Sequence, residues 1–168
     1  MQVHGALVQV QGVGVLLLGP SGVGKSEAAL ELVTRGHRLV ADDVVELSRE
    51  AGRLFGRAPE RIRHFLEIRG LGLLFVPELY GAESVLEQCA IDLVCRLDPN
   101  RAPGEFERVG WERPQETLAE VALPTVRLPV RPATSLGVLV EAAARDHRMR
   151  ERGPSAAARL DALRSEKA

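Results

Sequence analysis

Residues Gly19, Pro20, Ser21, Gly22, Val23, Gly24, Lys25 and Ser26 form an uninterrupted phosphate-binding loop, G-x-x-x-x-G-K-[ST]. Each position has a physical task. The glycines let successive backbone N–H groups turn inward around phosphate oxygens. Lys25 brings a positive charge to the terminal phosphates, and the Ser26 hydroxyl is placed to ligate Mg²⁺. The flanks suit the motif. An apolar run, Val13 to Leu18, reads as a buried strand before the loop, and Ser26 to Val33 reads as a helix with Ala28, Ala29, Leu32 and Val33 on one face. Strand, glycine-rich loop and helix N-terminus together make an anion site.

Other residues could act on a phosphate held there. Asp42 and Asp43 end the apolar segment Arg38 to Ala41. Adjacent side chains at a strand end point to opposite sides. One carboxylate can face a metal or a structural partner while the other faces an acceptor hydroxyl; two solvated acids in a turn would have the same sequence. Glu67 and Arg69 share a face opposite Leu66 and Ile68, as a Mg²⁺ and phosphate pair or as a plain ion pair. Arg108 sits in a segment rich in Pro, Gly and charge, Asn100 to Pro114, which is expected to be a mobile loop. His4, alone before the first apolar segment, has no role that composition assigns.

These residues need a scaffold, and the chain supplies an α/β one. Strands are expected at Val3 to Val10, Val13 to Leu18, Arg38 to Ala41, Leu71 to Val76, Ile91 to Leu97 and Thr125 to Val130. Ala51-Gly52 marks a hairpin between Val44–Leu47 and Arg53–Phe55. Helices are expected after the phosphate loop as far as Gly36, briefly at Pro59 to Phe65, and at Leu136 to Arg152 and Ser155 to Ser165, divided by Gly153-Pro154. With 168 residues the reading is one domain without internal repeats.

Composition narrows the function classes. A net charge of −1 gives no global attraction to nucleic acid or to an anionic membrane, and aromatics at 4% are too few for a base-stacking platform. No apolar segment reaches transmembrane length and no secretory leader is evident. Cys89 and Cys95 lack metal-binding partners and read as inert, reduced core residues, so the expected compartment is the cytoplasm. The charged run Arg145 to Arg152 reads as a solvated helix face.

Taken together, the motifs resemble the catalytic domain of the HPr kinase/phosphorylase family over nearly the whole chain. The resemblance is carried by His4-Gly5, by Gly19 to Glu27, by Arg35-Gly-His-Arg-Leu-Val-Ala-Asp-Asp43, and above all by Ile62-Arg-His-Phe-Leu-Glu-Ile-Arg-Gly-Leu-Gly72. Pro129-Val-Arg-Pro132 and Glu141-Ala-Ala-Ala complete it. It implies a phosphate-loop nucleotide-binding core with a mixed central sheet, related to phosphoenolpyruvate carboxykinase-like kinases. It implies ATP-dependent phosphorylation of a serine on the phosphocarrier protein HPr, and removal of that phosphate by inorganic phosphate to give pyrophosphate. By resemblance, His4 and Arg108 are active-site residues, Lys25 contacts the phosphates, Ser26 and Glu67 bind Mg²⁺, and Asp43 is the proton acceptor and, in reverse, the donor. His4 either tunes Asp43 or contacts phosphate.

The resemblance also implies a homo-oligomer, a hexamer. Residues 1–168 correspond to the catalytic domain without the N-terminal domain that many members carry. Where members commonly have Pro-Gly-Arg-Asn after Pro-Val-Arg, this chain has Pro132-Ala133-Thr134-Ser135, which puts phosphorolysis in doubt more than kinase activity. Two rival readings share the core: a small-molecule kinase, and a silent nucleotide-binding regulatory module. The intact Lys25, Ser26, Asp43 and Glu67 argue against the second. A switch GTPase is disfavoured because no Asn-Lys-x-Asp occurs.

Overall fold

A computed structural model describes residues 1–167. The strands are β1 (Gln2–His4), β2 (Ala6–Val10), β3 (Val13–Leu18), β4 (Arg38–Ala41), β5 (Val44–Glu50), β6 (Arg53–Arg57), β7 (Phe65–Ile68), β8 (Gly72–Phe75), β9 (Gln88–Ala90), β10 (Leu93–Asp98), β11 (Gln115–Leu118) and β12 (Val121–Pro129). The helices are α1 (Lys25–Thr34), α2 (Val76–Tyr80), α3 (Leu136–Arg152) and α4 (Ala156–Glu166). A central sheet runs β11-β12-β10-β3-β2-β4. It is mixed: β3, β10 and β12 are parallel, while β2, β4 and β11 pair antiparallel to their neighbours. A second sheet, β1-β5-β6-β9, covers one face, and β7 with β8 forms a separate hairpin.

Strand alternation explains the layering. Val13, Val15 and Leu17 of β3 join Val8, Cys95, Leu32 and Val140 in one core, beneath α1 and α3. Leu16 and Leu18 face the other way, joining Leu7, Val94, Val45 and Leu54 under the second sheet. Because β3 is buried on both faces, it reads as an unbroken apolar run. Both cysteines are buried and free, and burial pushes their thiols up to about 12, in keeping with inert core residues.

Several elements depart from the sequence expectation. Val3 to Val10 is two strands, because Gly5 breaks it and sends His4 into the second sheet. A Cβ at Gly5 would stand 2.6 Å from the Leu17 carbonyl oxygen, so only glycine permits this crossing. The short helix expected at Pro59 to Phe65 is a single 3₁₀ turn, Glu60–Ile62, with Phe65 already in β7. Val76 starts a helix rather than ending a strand, since Pro77 fits a first helical turn. The segment expected as a mobile loop is tethered: Arg113 bonds Asp146 at 2.6 Å, and Arg150 donates to the Gly110 carbonyl at 2.6 Å.

α1 and α3 are joined by buried polar contacts. Glu31 accepts from the Gly137 N–H at 3.0 Å and from the Ser135 hydroxyl, which also caps α3. Farther along, the buried Glu141 carboxylate takes the Arg35 guanidinium at 2.6 Å and the His37 imidazole at 2.8 Å. Those two bonds hold its pKa down to about 2. A folded-state value below the unfolded one stabilises the protein above the unfolded range near pH 4.5, and that stabilisation disappears as pH falls toward 2. Glu141→Gln should therefore lower stability at neutral pH by about 1–2 kcal/mol, as expected for losing charge-assisted hydrogen bonds to the half-exposed Arg35 and to the buried His37 ring. Denaturant titrations at pH 7 and pH 3 check this: the gap between wild type and variant should shrink at the lower pH.

Candidate active site

α1 begins where the phosphate loop ends. Gly24 takes the left-handed conformation at φ 107°, which a side chain would strain, and turns the chain directly into the helix at Lys25. The Lys25 ammonium donates to the carbonyls of Gly19 at 2.8 Å and Pro20 at 3.0 Å, which hold it against the loop. Partial burial lowers its basicity, while Asp42 and Asp43 oppose that shift.

The two aspartates separate as strand geometry predicts. Asp42 is buried and accepts the Ser26 hydroxyl at 2.9 Å through either carboxylate oxygen. Burial pushes its pKa up, against the Ser26 hydrogen bond and the Glu67 and Asp43 backbone N–H groups. Asp43 turns outward at φ 69°, with its side chain 73% exposed. Its carbonyl accepts the Gly5 N–H at 3.0 Å, clamping the end of β1 to this turn. That clamp brings the His4 imidazole within 3.9 Å of the Asp43 carboxylate, too far for a hydrogen bond but close enough to feel its charge.

Glu67 arrives on β7, with Leu66 and Ile68 buried beneath it as alternation requires. Glu67, Arg69, Asp42, Asp43, Lys25 and Ser26 line one cleft of about 220 Å³, floored by Ser21, Gly22 and Gly24. His4, Gly19 and Pro20 line the adjoining cleft, with Arg96, Asp98 and Arg127. Val23 closes the turn of the loop, its N–H bonded to the Pro20 carbonyl at 3.2 Å. Arg108 does not join them. It lines a different cleft with Arg127, Leu128 and Arg150, because the tethers at Gly110 and Arg113 fix that segment against α3.

The donor set suits a hard cation. Ser26, Asp42 and Glu67 line the same cleft and offer only oxygen, and Asp42 is a buried carboxylate whose one side-chain partner among the described residues is a neutral hydroxyl. The described residues hold no ready-made group of three or more His, Cys, Asp or Glu side chains, so phosphate and water would have to complete the shell. Mg²⁺ typically takes one or two carboxylates and keeps water and phosphate as its other ligands. Sequence reasoning left open whether Asp42 faces a metal or a structural partner; the observed partner is Ser26, a pairing signalled only by the apolar strand that drives Asp42 inward.

The family model described as the HPr Serine kinase C-terminal domain matches residues 1–163. The chain belongs to that family. HPr kinase/phosphorylase of Caldanaerobacter subterraneus subsp. tengcongensis is 51% identical over 161 residues, covering 95% of this chain and 52% of the relative. The Geobacillus thermodenitrificans protein of the same name is 48% identical over 165 residues, covering 98% of this chain and 53% of its own length. The chain thus spans about half the length of these curated relatives. Among solved structures, the Hpr(Ser) kinase/phosphatase from Coxiella burnetii superposes with a TM-score of 0.83 at 30% identity, covering 91% of this chain and 93% of that one. The mixed α/β fold expected of the family is the fold observed. Among the described residues, no helix is long and apolar enough to cross a membrane.

Proposed function

We propose that this chain is the catalytic domain of a kinase/phosphorylase that transfers the γ-phosphoryl group of ATP to a serine of HPr, with Mg²⁺ as cofactor. One observation carries the reading: Lys25, Ser26, Asp42, Asp43 and Glu67 converge on a single cleft at the phosphate loop. The loop N–H groups and Lys25 hold the phosphates. Ser26, Asp42 and Glu67 would hold Mg²⁺, which neutralises charge on the transferring group. Asp43, outward-facing and exposed, accepts the seryl proton as the serine oxygen bonds to the γ-phosphorus and the bond to ADP breaks.

In the reverse direction, an oxygen of inorganic phosphate attacks the phosphoserine phosphorus. The bond to the serine oxygen breaks, pyrophosphate forms, and protonated Asp43 returns the proton to serine. His4, 3.9 Å from the Asp43 carboxylate, either tunes Asp43 or contacts the phosphate. A role for Arg108 requires its segment to leave α3 and swing toward the phosphate loop. A cytoplasmic, hexameric enzyme that binds neither membrane nor nucleic acid belongs to the same proposal.

The departure at Ala133-Thr134-Ser135 bears on the reverse reaction. Ser135 is committed to capping α3 and bonding Glu31, and no cation stands at these positions. Purified HPr, Mg²⁺ and ATP should yield HPr heavier by one phosphate in an intact-mass measurement. Adding inorganic phosphate to that product should release pyrophosphate more slowly than the forward reaction runs. ATP binding without any HPr phosphorylation would sink the proposal and favour a small-molecule acceptor or a binding module.

A further inference from the structure

A cleft of about 710 Å³ lies at the opposite end of α1 from the phosphate loop and shares no lining residue with it. The ten residues of α1 set the two apart by about 15 Å at 1.5 Å rise per residue. Its walls carry Arg35, Arg38 and Arg145, with His37 and the amides of Gln9 and Gln11. One carboxylate lines it, Glu141, and that group is already bonded to Arg35 and His37.

Among the described residues, Arg38 has no acidic partner. Arg145 uses only its Nε, in a long 3.4 Å contact to Glu141, leaving both terminal nitrogens uncommitted. Glu31, an acid that also acts on Arg35, is occupied by Ser135 and Gly137. The C-terminal end of α1 contributes roughly half a negative charge. Three guanidinium charges against one carboxylate and that half charge leave a clear positive surplus inside a concave surface. Guanidinium groups match phosphate oxygens through paired N–H donors, and uncommitted amides add neutral donors.

We infer that this cleft binds a small phosphate-bearing anion, separately from the nucleotide site. Inorganic pyrophosphate is a sufficient probe, read by backbone amide shifts of the ¹⁵N-labelled protein. Two groups of amides should respond. Gly22 and Gly24 report the phosphate loop; Gly12, Gly36 and Arg38 report the distal cleft. Arg38→Ala removes an exposed side chain at the start of β4 and should weaken the distal response about tenfold while leaving the loop response unchanged. The double variant Arg38→Ala/Arg145→Ala should abolish the distal response. The loop shifts serve as an internal control for folding in both variants. Shifts confined to the loop in wild type, or a distal response within twofold of wild type in the double variant, would overturn the assignment.

Discussion

Asp43→Asn should reduce phosphoryl transfer to HPr by about 10²–10⁴-fold, the range expected for losing a positioned base, while ATP affinity stays within a few-fold of wild type. The substitution is sterically nearly silent. Asp43 sits at φ 69°, a region asparagine tolerates better than almost any other non-glycine residue, so the turn between β4 and β5 survives. The backbone bonds that define this turn, Gly5 N–H to the Asp43 carbonyl and Val44 N–H to the Asp42 carbonyl, involve no side chain. What disappears is the proton-accepting carboxylate and its charge toward His4 and Lys25. Single-turnover HPr phosphorylation gives the rate, and calorimetric titration gives the nucleotide affinity. Because one group serves both directions, phosphorolysis should fall by a similar factor. A forward rate within threefold of wild type would remove Asp43 from the mechanism and leave the acceptor proton to solvent.

The neighbouring acid makes a useful contrast, and it marks the limit of what the sequence discloses. Asp-Asp at a strand end is legible as two outward-diverging carboxylates, and strand alternation alone predicts that one turns in. Which one holds Ser26 follows from burial of the β4 residues, which place Asp42 beneath the loop. The phosphate loop, β3, α1 and the two terminal helices are likewise legible, because their signals are local: a motif, an apolar run, a 3.6-residue period, Gly and Pro stops. Long-range geometry is not local. Nothing in His4-Gly5-Ala6 announces that Gly5 passes against the Leu17 carbonyl and diverts His4 into a second sheet, yet that diversion is what sets His4 beside Asp43. Glu31 with Ser135 and Glu141 with Arg35 join residues more than a hundred positions apart. The placement of Arg108 depends on Arg113 and Arg150 finding α3. The short strands β9 and β11 escape notice because three or four residues carry too little pattern to count.

Lys25→Ala tests the other half of the site. Turnover should fall by about 10²–10³-fold, the usual cost of deleting a group that stabilises charge developing on the transferring phosphoryl, and ATP affinity should fall with it. The fold should persist, since alanine is the best helix former and position 25 opens α1. The Gly19 and Pro20 carbonyls that lose the ammonium are not buried and can turn to water. The joint loss separates Lys25 from Asp43. A cation at the phosphates holds the bound nucleotide and holds the transferring phosphoryl more strongly still in the transition state, so its loss lowers both affinity and rate, whereas a base acts only when the proton moves. The pair of variants therefore yields a pattern rather than two numbers: affinity and rate down together at Lys25, rate alone at Asp43. Lys25→Arg should not restore the rate, because the planar guanidinium cannot reproduce a compact ammonium held by two carbonyls. Unchanged nucleotide affinity in Lys25→Ala would mean that ATP binds elsewhere on the chain, and the phosphate loop would lose its place as the catalytic centre.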